Sequence, residues 1–149
     1  MFFSQTSELM PDSHVTIVPY FTVPEGKMDE FKAGFADFYK HTKEGTGASG
    51  ECLYYGFAQE GNKIFCREGY RSAAGVLAHL GEVKAELDNV VALVGAGGLN
   101  LAVMGPVAEL EKLKEPMGPL GTKFFALDEG TFRDASSSFY FHSSVRLTC

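Results

Sequence analysis

Three side chains of this 149-residue sequence have types and spacing suited to moving a proton: His79, Glu68 and Tyr70. A histidine titrates near neutral pH and serves as a general base without any cofactor. His79 lies on the shoulder of an apolar helical stripe, about 100° from its centre at about 100° per residue. It is there either a boundary residue bonded to a neighbour or a group facing a cavity between helices and sheet. Glu68 and Tyr70 share one face of a strand with Ile64 and Cys66. If that face looks toward the helices, Glu68 is placed to orient His79; if it looks away, Glu68 is an interface or solvent residue. Tyr54 and Tyr55 point to opposite faces, so one of them lines the interior in either register.

Other chemistries find no footing. His14, His41 and His142 are dispersed, and no H-x-H, H-x-x-x-H or carboxylate pairing marks a metal site. There is no G-x-S-x-G nucleophile motif. Cys52, Cys66 and Cys149 are odd in number and lack C-x-x-C spacing, which reads as buried small hydrophobes in a reducing compartment. Thirteen basic against nineteen acidic residues give a net charge of −6, with no positive stripe for nucleic acid. The opening MFFSQTSELMPDSH lacks the basic and apolar regions of a secretory signal, so a cytoplasmic location is expected.

Among the elements that must position these groups, residues 14–23 (HVTIVPYFTV) form a β-branched, aromatic strand, with Pro19 suggesting an edge position or a bulge. Met28, Phe31, Phe35, Phe38 and Thr42 recur at helical spacing after Pro24, and the glycine-rich residues 44–50 are expected to end that helix. CLYYGFAQ, the turn EGN at 60–62 and KIFCREGYR read as a hairpin. A second helix starts at Ser72, a candidate N-cap, and carries a stripe from Ala73 to Val94. LEKLKEPMGPLG reads as a short helical turn and a loop, and TKFFALDE as a last strand.

The twenty uncharged residues between Asp88 and Glu109 are long enough for a membrane span but hold Gly95, Gly97, Gly98, Asn100 and Pro106, which argues against one. VALVGAGGLN resembles a dinucleotide loop, yet its order is helix, turn, strand, the reverse of that fingerprint. The glycines read as punctuation, with Gly95 or Gly97 in a left-handed conformation at the helix end.

The resulting order, β-α-β-β-α-β plus an added strand, is an α+β, ferredoxin-like antiparallel sheet with two helices on one face. The other face needs a cover, and a second copy of the chain, packed sheet to sheet in a homodimer, is the expected solution.

VPYFTVPEGKMDEFKAGFADFYKHTKEG, ECLYYGFAQEGNKIFCREGYRS and SAAGVLAHLGEV resemble the antibiotic biosynthesis monooxygenase (ABM) domains of the dimeric α+β barrel superfamily, over roughly residues 14–127. An E-x-[WY]…A…H passage of that family appears as Glu68, Tyr70, Ala74 and His79. Tyr70 stands where tryptophan is common, and TGASGEC is looser than the usual second-strand entry. Leu87, Asp88 and Asn89 occupy the level where the haem-degrading branch has its histidine, which disfavours haem degradation. The resemblance divides the chain into an extension (1–13), an ABM-like domain (14–129) and a tail (130–149) that is a strand, a lid or disorder.

What the resemblance implies is a monooxygenase that needs no cofactor and oxidises a small electron-rich aromatic of quinol or phenol type. His79 is then the base, steered by Glu68, with Tyr54, Tyr70 and Phe35 as ligand contacts. The alternative is a non-catalytic dimeric module of the same fold that binds a small apolar ligand or a protein, since fold does not dictate function.

Overall fold

The structure, a computed structural model, describes residues 12–128. The expected tail, and all but the last two residues of the expected extension, lie outside the described residues. The elements run β1 (Val15–Thr22), α1 (Met28–Ala33), α2 (Phe35–Thr42), a π-helical turn (Lys43–Gly47), β2 (Cys52–Glu60), β3 (Lys63–Tyr70), α3 (Ala73–Glu82), α4 (Lys84–Val94), β4 (Leu99–Gly105), α5 (Val107–Met117), a 3-10 turn (Gly118–Leu120) and β5 (Lys123–Ala126).

The sheet order is β2-β3-β1-β4-β5, antiparallel except for the parallel β4–β5 pair. The first four strands have the ferredoxin-like arrangement expected from the sequence, and β5 extends it. Alternation sends Val15, Ile17 and Phe21 of β1, Ile64, Cys66, Glu68 and Tyr70 of β3, and Leu101 and Val103 of β4 into the core beneath the helices. Two clusters fill it. One joins Val15, Tyr70, Val76, Val103, Leu113 and Met117; the other joins Phe21, Phe31, Phe38, Ile64, Val83 and Val90. Removing a side chain such as that of the fully buried Leu113 costs about 2–5 kcal/mol.

Four local features differ from the sequence reading, each for a physical reason. Pro19 sits in the central strand β1, paired with Leu101 of β4, and not at an edge. The β1–β3 pairing skips Val18 and Pro19, so the missing proline N–H coincides with a gap in the ladder. The first helix is interrupted at Gly34 and the second at Val83, where ψ rises from the helical value of about −42° to −13° and +16°. The glycine-rich residues after Thr42 do not end the helix but widen it into the π-helical turn. Lastly, LEKLKEPMGPLG contributes most of α5, eleven residues long with Pro116 in its last turn. Burial of Leu110, Leu113 and Met117 on one stripe outweighs the lost proline hydrogen bond.

Ser72 occupies the N-cap of α3 but makes no side-chain cap bond. Glu109 of α5 takes that role, accepting the Ala73 N–H at 2.8 Å. At the far end, Gly95 and Gly97 adopt φ of +73° and +75°, the left-handed region expected of residues that end a helix. Among the described residues no helix is long and apolar enough to cross a membrane.

Candidate active site

A cavity of about 40 Å³ lies between the two core clusters, under α3 and against the inner face of the sheet. Its wall is mostly apolar, with Phe57, Leu80, Leu99 and Leu101 around the polar groups of Tyr55, Glu68 and His79. The register of the hairpin explains the polar side: Tyr55 of β2 pairs with Glu68 of β3, and both point inward. α3 lays His79 across them, 4% exposed.

The imidazole is held at both nitrogens. Nδ1 lies 2.9 Å from Glu82 Oε1, and Nε2 lies 3.4 Å from Glu68 Oε2. The Tyr70 hydroxyl donates to that same Glu68 oxygen. The rings of Tyr55 and Tyr70 flank the imidazole at centroid distances of 5.2 and 5.3 Å. Glu82 in turn accepts from the Thr46 N–H at 2.9 Å and the Thr46 hydroxyl at 2.6 Å. The result is a continuous chain from Thr46 through Glu82, His79 and Glu68 to Tyr70.

Burial sets the protonation of this chain. It pushes the Glu68 carboxyl up to about 7, against the downward pull of hydrogen bonds from Tyr70 and Cys66. Burial also lowers His79 below the usual histidine range, opposed by the hydrogen bond and charge of Glu82. Near neutral pH the site therefore favours an uncharged imidazole beside a carboxyl poised to carry a proton. Burial raises the hydroxyls of Tyr55 and Tyr70, which act as donors and not as bases. It raises the Cys66 thiol likewise and pushes Cys52 up to about 11, so neither is a ready nucleophile. Among the described residues no three His, Cys, Asp or Glu side chains converge as a metal site.

Of the residues singled out in the sequence, His79, Glu68 and Tyr70 come together. Tyr54 does not join them. It stands on the opposite sheet face, its hydroxyl 3.3 Å from Thr16 Oγ1 and the Arg67 guanidinium 4.8 Å from its ring centroid. Tyr55 fills the inner place instead, because a register irregularity between Cys52 and Tyr54 sets which neighbour points inward. Phe35 stacks on Phe57 at 4.1 Å and so stands one ring back from the cavity. Glu82 and Thr46 were not singled out. Glu82 had a signal, three residues beyond His79 on the same helix; Thr46, in a glycine-rich segment, had none.

The fold belongs to a recognisable class, small α+β proteins with helices packed on one face of a sheet. MupZ from Pseudomonas fluorescens is similar at 33% identity and a TM-score of 0.71, over 83% of this chain and 97% of MupZ. A protein of Caulobacter crescentus CB15 classed with the antibiotic biosynthesis monooxygenases shares the fold at 22% identity and a TM-score of 0.52, over 62% of this chain and 88% of its own. SnoaB, a cofactor-independent oxygenase from Streptomyces nogalater, shares it at 15% and 0.51, over 64% of this chain and 94% of its own. No family model and no curated protein matches the sequence. With identity at this level over nearly all of MupZ, the chain and MupZ belong to one family, and the fold is that of the antibiotic biosynthesis monooxygenase (ABM) domains.

Proposed function

We propose that the protein is a cofactor-independent monooxygenase acting on a small, electron-rich aromatic of quinol or phenol type. The observation that carries the reading is the uncharged, buried imidazole of His79, with Nε2 directed at Glu68 beside an apolar cavity. His79 takes the phenolic proton, and the resulting anion gives an electron to dioxygen. Recombination forms a carbon–oxygen bond as a peroxide, which loses water to leave a quinone; one dioxygen supplies both the inserted atom and the water. Glu68, carrying a proton near neutral pH, is placed to protonate the departing oxygen, and the apolar wall keeps the charged intermediate from bulk water. Benzene needs a cavity of about 150 Å³, so an aromatic ring enters only as lining side chains such as Phe57 and Leu99 move aside. Oxygen-electrode assays with a panel of quinols test this: consumption equal to product formed, and lost in His79→Ala, is expected. No uptake across the panel refutes it.

A second reading is favoured by one feature, an acid set directly beside the base. Phenol oxidation needs the base chiefly, whereas Glu68 and His79 together suit a reaction that both adds and removes protons without oxygen. Turnover that persists under argon selects it. Ligand binding without turnover in either atmosphere would leave the non-catalytic module.

The outer sheet face supports a homodimer. Phe65 and Phe125 are 41% and 52% exposed there, and Tyr20 packs against Phe65 at 4.3 Å. A second copy covering this face would remove these rings from water. Sedimentation giving a monomer at micromolar concentration removes the proposal.

A further inference from the structure

We propose that the glycine-rich turn Lys43–Gly47 is a carboxylate clamp that makes Glu82 the positioning residue for His79, fixing the proton on Nδ1 and leaving Nε2 as the reactive nitrogen. The inference rests on His79 being the base proposed above.

Glu82 is the last residue of α3, three positions beyond His79, so the two share a helix face. A carboxylate at a helix C-terminus is electrostatically disfavoured and, unrestrained, turns to water. Here both oxygens are fastened: the Thr46 N–H donates to Oε2 and the Thr46 hydroxyl to Oε1. His79 Nδ1 completes the set at 2.9 Å on Oε1. A carboxylate gripped by donors has only acceptor sites to offer, so Nδ1 must present an N–H. Glu68, on the other nitrogen, is a weaker partner at 3.4 Å and shares its oxygen with Tyr70.

The clamp accounts for a segment that helix propensity alone does not. A π-helical turn is uncommon and tends to appear at functional positions. This one is built where side chains do not fit: a Cβ on Gly45 would lie 1.9 Å from Glu82 Oε2, and one on Gly47 would lie 2.9 Å from the Thr42 carbonyl oxygen. Glycine at 45 lets the carboxylate reach the Thr46 amide, and glycine at 47 lets the turn pass close to the Thr42 carbonyl. Thr46 itself is buried, so its two donors are committed to Glu82 and not to water.

Long-range proton–nitrogen NMR of the full chain labelled at histidine reads the tautomer directly, with no substrate present. The wild type is expected to show Nδ1 protonated and Nε2 bare. Glu82→Gln and Gly45→Ala should shift His79 toward the Nε2–H form that free imidazole side chains prefer. Thr46→Val should shift it partway and Thr46→Ser restore it, since serine keeps the hydroxyl. With a quinol that turns over, Glu82→Gln should lower kcat about 10–100-fold and leave KM within about twofold, the pattern of a group that acts through another. A wild-type Nε2–H tautomer, or one unmoved in both Gly45→Ala and Glu82→Gln, overturns the clamp. Absence of any quinol oxidation strikes the oxygenase reading alone, because the NMR result stands without it.

Discussion

Tyr54 and Tyr55 are neighbours in the chain and nearly opposite in circumstance. Tyr54 looks out from the sheet beside Arg67 and Thr16, while Tyr55 looks in, its ring 5.2 Å from that of His79. The same holds one strand over: Arg67 faces outward and Glu68, the next residue, is sealed inside. Residue type is similar across the two faces in each pair of aromatic and charged groups. What differs is water. On the outer face a guanidinium can rest over a ring and keep its hydration. On the inner face desolvation moves a carboxyl up to about 7 and draws a histidine down, so both are disfavoured in their charged forms. The difference teaches that the chemistry belongs to the side of the sheet, not to the list of residues.

Several substitutions break or sharpen that contrast. The largest effect is expected on the inner face: His79→Ala should lower kcat by about 10²–10⁴-fold, the usual worth of a positioned general base, checked by oxygen uptake and by product chromatography. Glu68→Gln should cost less in rate but reshape pH dependence. Glu68 is raised in the fold from its ordinary 4.5 to about 7, so the folded state favours the protonated form. Its contribution is whole below pH 4.5 and lost as pH rises through 7, because the unfolded chain releases the proton first. The loss is on the order of 3 kcal/mol, since each tenfold difference in proton affinity between folded and unfolded chain is worth about 1.4 kcal/mol. Denaturant melts from pH 4.5 to 8 should therefore flatten in Glu68→Gln relative to wild type. An identical slope in both proteins would show that Glu68 is not desolvated in solution.

Outer-face changes should act on assembly and hardly at all on chemistry. Phe65→Asp is expected to turn a dimer into monomer in sedimentation while leaving the circular dichroism spectrum of the helices intact. Smallest of all, Tyr54→Phe should change stability by no more than about 0.5 kcal/mol and leave kcat within twofold, as for a surface substitution. A large loss of activity in Tyr54→Phe would mean that the two faces are not chemically separate.

The sequence carried the sheet because hydrophobic periodicity and turn signals are local. Phe31, Phe35 and Phe38 announced a helix, EGN a hairpin, and the glycines after Val94 a helix end. Where the reading went astray, a distant partner decided. Pro19 tolerates a central strand because the pairing with β3 lapses beside it. Pro116 sits within α5 because three buried side chains hold that helix down. The site was half legible for the same reason. Glu68, Tyr70 and His79 share patterned elements whose faces can be counted, but the inward choice between Tyr54 and Tyr55 turned on one irregular pair, and Thr46 reaches Glu82 across thirty-six positions.

The contact between Glu109 and the Ala73 amide has a practical meaning for anyone who would shorten this molecule. The helix that bears the imidazole begins with its first peptide splinted by a carboxylate from an element that follows the fourth strand. Trimming the chain after Gly105 would take away no part of the cavity's polar chain, yet it would unfasten the root of the helix on which that chain hangs. A minimal version of the protein must keep residues 107–117: Met117 lines the cavity wall, and the helix that carries it holds α3 still.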